Sequence, residues 1–215
     1  MSIILYSYFR SSAAYRVRIA LNLKEIDYEI RPVNLLKNGG EQIQPDFLKL
    51  NPQGRVPVLL VDNTVLTQSV AIIEYLEEAY PKPPLLPAEL LTRAFVRSLV
   101  QTIACDIHPL NNLSILNFLR TSLKEDFEHA WRCHWIHEGF TAMEQRLQQQ
   151  HNKSRFCYGD LPGMADAFLI PQVYNAMRFG CDMKNYPLIS SIYKNCNENT
   201  AFINAAPENQ PDAES

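Results

Sequence analysis

The sequence predicts a small α/β domain followed by an all-helical domain, and three observations carry that reading. Short segments that read as β-strands (Ile3–Tyr6, Tyr28–Val33 and Pro57–Val61) are confined to the first third of the chain. They alternate with segments whose apolar residues recur at helical spacing. A proline cluster at Pro81, Pro83, Pro84 and Pro87 then ends the β signal, and long helical patterns follow.

Each element has a local reason. Ile3–Tyr6 reads as a buried strand. Ser11 and Ser12 precede a run with Val17, Ala20 and Leu21 at helical spacing, and serine before such a run is a helix N-cap signal. Tyr28–Val33 returns as a second strand, which makes a parallel βαβ unit the simplest reading. Asn51-Pro52-Gln53-Gly54 is turn chemistry, and Pro57–Val61 is the next strand. Asp62-Asn63 closes a hairpin onto Val65–Thr67. Gln68-Ser69 then opens a helix through about Tyr80, with Ile72, Ile73 and Leu76 on one face. The first domain is placed at 1–81 and the helical domain at 88–206. The latter is expected to hold helices over roughly 88–119, 124–149, 163–178 and 187–203, with Pro109 interrupting the first. Residues 207–215, polar and proline-containing, read as a frayed tail.

Composition excludes several function classes. The chain has 215 residues, 47% of them hydrophobic, enough to bury a core. A net charge of −3 argues against a general nucleic-acid binder. No stretch approaches the ~18 consecutive apolar residues of a membrane span. The opening MSIILYSYFR puts its basic residue after the apolar run, the wrong order for a secretory signal, so a cytoplasmic location is expected. Cys105, Cys133, Cys157, Cys181 and Cys196 are scattered with no CxxC pair, and are read as buried, reduced thiols. Only seven glycines occur, without GxGxxG or GxxxxGK[ST], so no backbone-cradled nucleotide is expected. Cys133, His134, His137 and Glu138 cluster on one helical stretch but lack the HExxH spacing, and no metal site is read there.

Two helix starts, Ser11-Ser12 and Gln68-Ser69, each directly follow a strand. Helix N-termini attract anions. If both face one edge of the sheet, that edge could hold a small ligand bearing a carboxylate and a thiolate; a plain capping role for each serine stays open. Val56-Pro57 opens a strand without a ladder N–H, and the bond can be cis or trans.

The stretch Tyr6–Leu21, containing SSAAYRVRIAL, resembles the signature segment of zeta-class glutathione transferases, the class that includes the maleylacetoacetate isomerases. LNPQGRVPVL, TQSVAIIEYLEE, NLSIL at Asn112–Leu116 and PQVYNAMRF at Pro171–Phe179 extend the match, in order, from residue 3 to about 200. The resemblance implies a thioredoxin-like N-terminal domain, an all-α C-terminal domain and a homodimer. It implies glutathione as cofactor, and cis–trans isomerisation of maleylacetoacetate to fumarylacetoacetate in tyrosine and phenylalanine catabolism. By motif position, Ser11 is expected to donate to the glutathione sulfur, with Ser12 beside it. Gln42, the Val56 backbone, Gln68, Ser69, Asn112 and Ser114 are expected contacts of glutathione, with Pro57 the family's cis-proline. Arg178, and with it Arg10, would grip the carboxylates of a dianionic substrate.

These residue types suit the implied chemistry. A free thiol has a pKa of about 8.5. A hydrogen bond to a charged group contributes roughly 1.5–3 kcal/mol, and one pKa unit is about 1.4 kcal/mol. One serine hydroxyl could therefore lower the thiol pKa by about one to two units, and a helix terminus would add about 0.3–1 kcal/mol. The thiolate would add to the alkene, the resulting single bond would rotate, and elimination would return the cofactor. An arginine fork suits the carboxylates.

The sequence departs from the family pattern at four places. Ala13 stands for a usual cysteine, Tyr15 for a tryptophan, His108 for a glutamine near glutathione, where histidine can still donate a hydrogen bond and is expected as a contact, and Gly163 for the Ser/Thr cap before Met164. Asp166 is still expected to reach the cap backbone. Three functions remain open: the isomerase, including a maleylpyruvate variant; a general glutathione transferase or dehalogenase; and a non-catalytic binding module.

Overall fold

The computed structural model describes residues 2–122, 127–150 and 154–213, and the chain divides into two units, 1–85 with 197–215, and 86–196. In the first unit, β1 (Ile3–Ser7), α1 (Ser12–Leu23) and β2 (Glu29–Pro32) form the expected parallel pair, with Leu5 opposite Ile30. After a short α2 (Pro45–Leu50), β3 (Val58–Val61) runs antiparallel to β1, and β4 (Thr64–Thr67) antiparallel to β3. The order across the sheet is β2-β1-β3-β4. Asp62 takes φ 51, the left-handed conformation that a tight two-residue hairpin turn needs. α3 (Ser69–Ala79) completes this part, burying Ile72, Ile73 and Leu76.

The chain then comes back. α9 (Thr200–Ala205) packs on α1, and Arg18 Nε donates to the Ala205 carbonyl at 2.9 Å. Residues 197–206 therefore belong with the first unit, which corrects the expected 88–206 span of the helical domain. The frayed tail is also corrected for the described residues. Pro207–Asn209 form a 3₁₀ turn, the Gln210 amide donates to the Asn204 and Ala206 carbonyls, and Ala213 packs on the cluster of Tyr8, Phe9, Val33 and Val58. Polarity suggested solvent, but these polar groups satisfy backbone carbonyls.

The second unit is helical. α4 (Leu90–Gln101) starts at Glu89, whose carboxylate accepts from the Leu91 and Thr92 amides. It runs into a π-helical turn over Thr102–Ile107 and is interrupted at Pro109, as expected, with α5 following at Leu113–Ser122. α6 spans Phe127–Gln148; the start expected at 124 lies outside the described residues. α7 (Met164–Arg178) is almost wholly buried over its first ten residues, and α8 (Pro187–Cys196) follows. Buried Glu144 accepts from the Leu188 and Ile189 amides and so caps α8 from α6. Asp166 accepts from the Gly163 amide, as expected, and from the Cys157 amide, both at 2.8 Å. Glycine has no side chain, so only this half of a capping box exists.

The cysteine reading is corrected in part. Cys133 and Cys181 form a disulfide, with Cα atoms 5.4 Å apart, and the free Cys105 thiol is exposed. Only Cys157 and Cys196 are free and buried. Two cysteines 48 residues apart in sequence give no local sign that α6 and the segment after α7 meet. No helix among the described residues is long and apolar enough to cross a membrane.

Candidate active site

Strand register gathers the first group of residues. Tyr6 of β1 and Thr67 of β4 both pair with Val58 of β3. β1 and β4 are antiparallel to β3, so their C-terminal ends flank its start at one edge of the sheet. Ser11-Ser12 follows β1, Gln68-Ser69 follows β4, and Val56-Pro57 precedes β3. The two helix starts share an edge although their strands are not neighbours.

Ser11 is the N-cap of α1, at φ −71 and ψ 113, and its Oγ accepts from the Ala14 amide at 3.2 Å. A hydroxyl that accepts in this way keeps its own proton for another acceptor. Ser12 is buried as the first helical residue. Arg16 Nη1 donates to Ser69 Oγ at 3.3 Å, which ties the first turns of α1 and α3 together. Position 13 is alanine, so this turn carries no thiol of its own.

Gln68 has φ 69 and ψ 116, a conformation that costs a non-glycine residue roughly 1–3 kcal/mol and persists only where its surroundings impose it. Its Nε2 donates to Gln53 Oε1 at 2.7 Å. The Val56-Pro57 bond is cis, and Val56 lies just outside the paired register of β3. Gln42 sits in a 3₁₀ turn against Gly54, where an added Cβ would lie 3.2 Å from the Gln42 carbonyl. The Gln42 Oε1 atom is buried without a hydrogen-bond partner among the described residues. A buried acceptor of this kind is a place for a ligand donor. Arg10 is half-buried with its guanidinium 4.6 Å from the Phe9 ring centre.

The remaining expected residues belong to the second unit. His108 follows the π-helical turn, its amide donating to the Ile103 carbonyl at 2.9 Å. π-helical turns are frequent at functional sites. Asn112 caps α5, its Oδ1 accepting from the Ser114 amide at 3.2 Å and facing the Ser114 hydroxyl at 3.3 Å. Arg178 is exposed in the last turn of α7, its guanidinium 4.8 Å from the Phe179 ring centre. Arg132 lies over the same ring at 3.2 Å and is paired with Glu128 at 2.6 Å. His137 Nδ1 lies 2.9 Å from the Tyr186 hydroxyl, and Cys133 is committed to its disulfide.

Two arginines of the signature segment, Arg16 and Arg18, are buried. Arg18 is completely buried, and burial lowers its pKa to about 10, against the opposing effects of Tyr28, Tyr15, Asp212 and Glu208. The one sequence signal was a pair of charges inside an apolar helix. Gln53 and Asp212 had no signal, because their partners are distant in sequence.

Residues 1–78 match the glutathione S-transferase N-terminal domain family. Over 210 residues, 97% of each chain, the protein is 49% identical to the maleylacetoacetate isomerase of Pseudomonas aeruginosa. A solved structure of a maleylpyruvate isomerase, described as a bacterial zeta-class glutathione S-transferase, superposes with a TM-score of 0.95 at 46% identity, covering 98% of this chain and all of that one. A maleylacetoacetate isomerase from Methylobacterium extorquens, solved with bound malonate and glutathione, superposes with a TM-score of 0.93 at 40% identity, covering 99% of this chain and all of that one. With its thioredoxin-like four-stranded sheet, its helical second unit and these similarities over nearly its whole length, the chain belongs to the zeta class of the glutathione transferase family.

Proposed function

We propose that the protein is a glutathione-dependent cis–trans isomerase acting on maleylacetoacetate. The observation that carries this reading is the meeting of Ser11, Val56 with its cis-Pro57, and Gln68-Ser69 at one sheet edge, in a chain 49% identical to a maleylacetoacetate isomerase. Bound glutathione supplies the thiolate that adds reversibly to the cis double bond and is returned unchanged.

The chain's own residues hold and tune that thiol. Ser11 donates its free proton to the sulfur, and the N-terminus of α1 adds its partial positive charge. Ser12 lines the same turn. The Val56 backbone and Gln42 take the peptide portion of glutathione and Gln68 and Ser69 its γ-glutamyl end; His108, Asn112 and Ser114 of the helical unit are proposed as contacts on motif position alone. By motif position Arg178, exposed at the end of α7, is proposed to bind a substrate carboxylate, and Arg10 in the first unit is a second candidate. The Methylobacterium relative was solved with bound malonate and glutathione, and malonate is a dicarboxylate of the expected kind. We further propose a cytoplasmic homodimer working in tyrosine and phenylalanine catabolism. Leu90 and Leu91, 76% and 81% exposed on the first turn of α4, favour a second copy as cover.

The test is the rate of conversion of maleylacetoacetate, or maleylacetone, with and without glutathione. Conversion that needs glutathione but does not deplete it sustains the reading; stoichiometric loss of glutathione replaces it with conjugation. Maleylpyruvate is the second reading, favoured by the TM-score of 0.95 to a maleylpyruvate isomerase. The ratio of kcat/KM for the two substrates decides between them.

A further inference from the structure

Tyr8 and Phe9, between β1 and the turn that carries Ser11, are held by side chains from elsewhere in the first unit. Arg18 Nη1 donates to Ser7 Oγ at 2.9 Å and to the Tyr8 carbonyl at 3.4 Å, and Nη2 donates to the Phe9 carbonyl at 3.0 Å. The Phe9 amide donates to Asp212 Oδ2 at 3.0 Å. The Tyr8 carbonyl in turn accepts from the Ser11 amide at 2.9 Å. The Tyr8 and Phe9 carbonyls and the Phe9 amide thus all end on Arg18 or Asp212, which are themselves close enough to interact electrostatically. Ala213, the residue after Asp212, packs on the buried cluster that contains Tyr8 and Phe9. A strand-to-helix turn with no regular ladder relies on such bonds to satisfy its backbone groups.

We infer that Asp212, acting with Arg18 from the opposite side of the Tyr8–Phe9 segment, is a positioning residue that sets where the Ser11 hydroxyl stands. The inference rests on the proposed role of Ser11 toward the glutathione sulfur. Asp212 touches neither substrate nor sulfur in this scheme; it acts by restraining the backbone two residues ahead of Ser11. A hydroxyl that must meet a thiolate loses its effect when displaced by a fraction of an ångström.

The experiment compares the wild type with Asp212→Ala and Asp212→Asn. Asparagine can still accept from the Phe9 amide and alanine cannot. The readout is the pH titration of the thiolate absorbance of bound glutathione, alongside kcat, KM for glutathione and thermal melting. Asp212→Ala is expected to raise the bound thiol pKa and to lower kcat by roughly tenfold, with a smaller change in KM. Asp212→Asn is expected to restore both. A wild-type thiol pKa and kcat in Asp212→Ala would overturn the inference, as would equal impairment of the two variants. Amide exchange at Phe9 and Ser11, measured without glutathione, separates this from a failure of the functional reading. Should the wild type not bind glutathione at all, the isomerase reading falls. Faster exchange in Asp212→Ala alone would then still uphold the restraint on the Ser11 turn, and unchanged exchange would refute it.

Discussion

Lys24 and Glu77 form an enclosed ion pair at 2.7 Å, with the Lys24 side chain wholly buried and that of Glu77 9% exposed. Lys24 Nζ also donates to the Tyr80 and Pro83 carbonyls, and both Glu77 oxygens accept from the Leu85 amide. One cation and one anion thereby anchor the end of α1, the end of α3 and the proline-rich stretch. Removing one partner leaves the other buried and uncompensated, so Lys24→Met is expected to cost about 3–5 kcal/mol in urea unfolding. Lys24→Met combined with Glu77→Gln should recover part of that loss.

A Cβ added at Gly139 of α6 would lie 2.3 Å from Cγ1 and Cδ1 of Ile107, a side chain with no exposure of its own. Gly139→Ala is therefore expected to lower stability by about 1–3 kcal/mol despite its better helix propensity. Ile107→Val, which removes the Cδ1 methyl, should make the alanine less costly, as read by melting temperature in a double-mutant cycle.

Asp166 is buried, and burial raises its pKa, against the opposing bonds from the Cys157 and Gly163 amides. A carboxyl whose folded pKa exceeds its unfolded value contributes stability that is complete below the unfolded value of about 3.9 and is lost as pH rises through the folded one. Asp166→Asn cannot satisfy both amides and should cost about 1–3 kcal/mol at acidic pH. It does not titrate, so its deficit relative to wild type should shrink as pH rises toward neutrality. Chemical denaturation across that range measures the slope.

The Cys133–Cys181 disulfide closes a loop of 48 residues' separation, and a cross-link of that span is expected to contribute about 4 kcal/mol on the chain-entropy account. Such bonds are uncommon in reducing compartments. Reductant, or Cys181→Ser, should lower the melting temperature of oxidised protein. Alkylation and mass spectrometry of protein taken directly from cells would count how many of the five thiols are free.

Features written in neighbouring residues were legible. The Ser11 cap, the Asp62-Asn63 turn, the break at Pro109 and the reach of Asp166 to Gly163 all follow from side chains acting on backbone a few residues away. The antiparallel direction of β3, the π-helical turn, the disulfide and the return of α9 were not, because each is decided by a partner far along the chain. The site divides the same way. Ser11, Val56, Gln68 and Ser69 could be named from turn chemistry and motif, whereas the strand register that gathers them, and Asp212 behind Ser11, required the fold.

The return of residues 197–213 to the first unit has a consequence for synthesis. β1 through α3 leave the ribosome well before the segment that covers α1, and all of 86–196 must be made in between. During that interval the buried guanidinium of Arg18 lacks the Ala205 carbonyl, and the Phe9 amide lacks Asp212. The nascent first unit can build its sheet but cannot close around it. A tag or fusion attached close behind Asp212 would also hang beside the turn that carries Ser11.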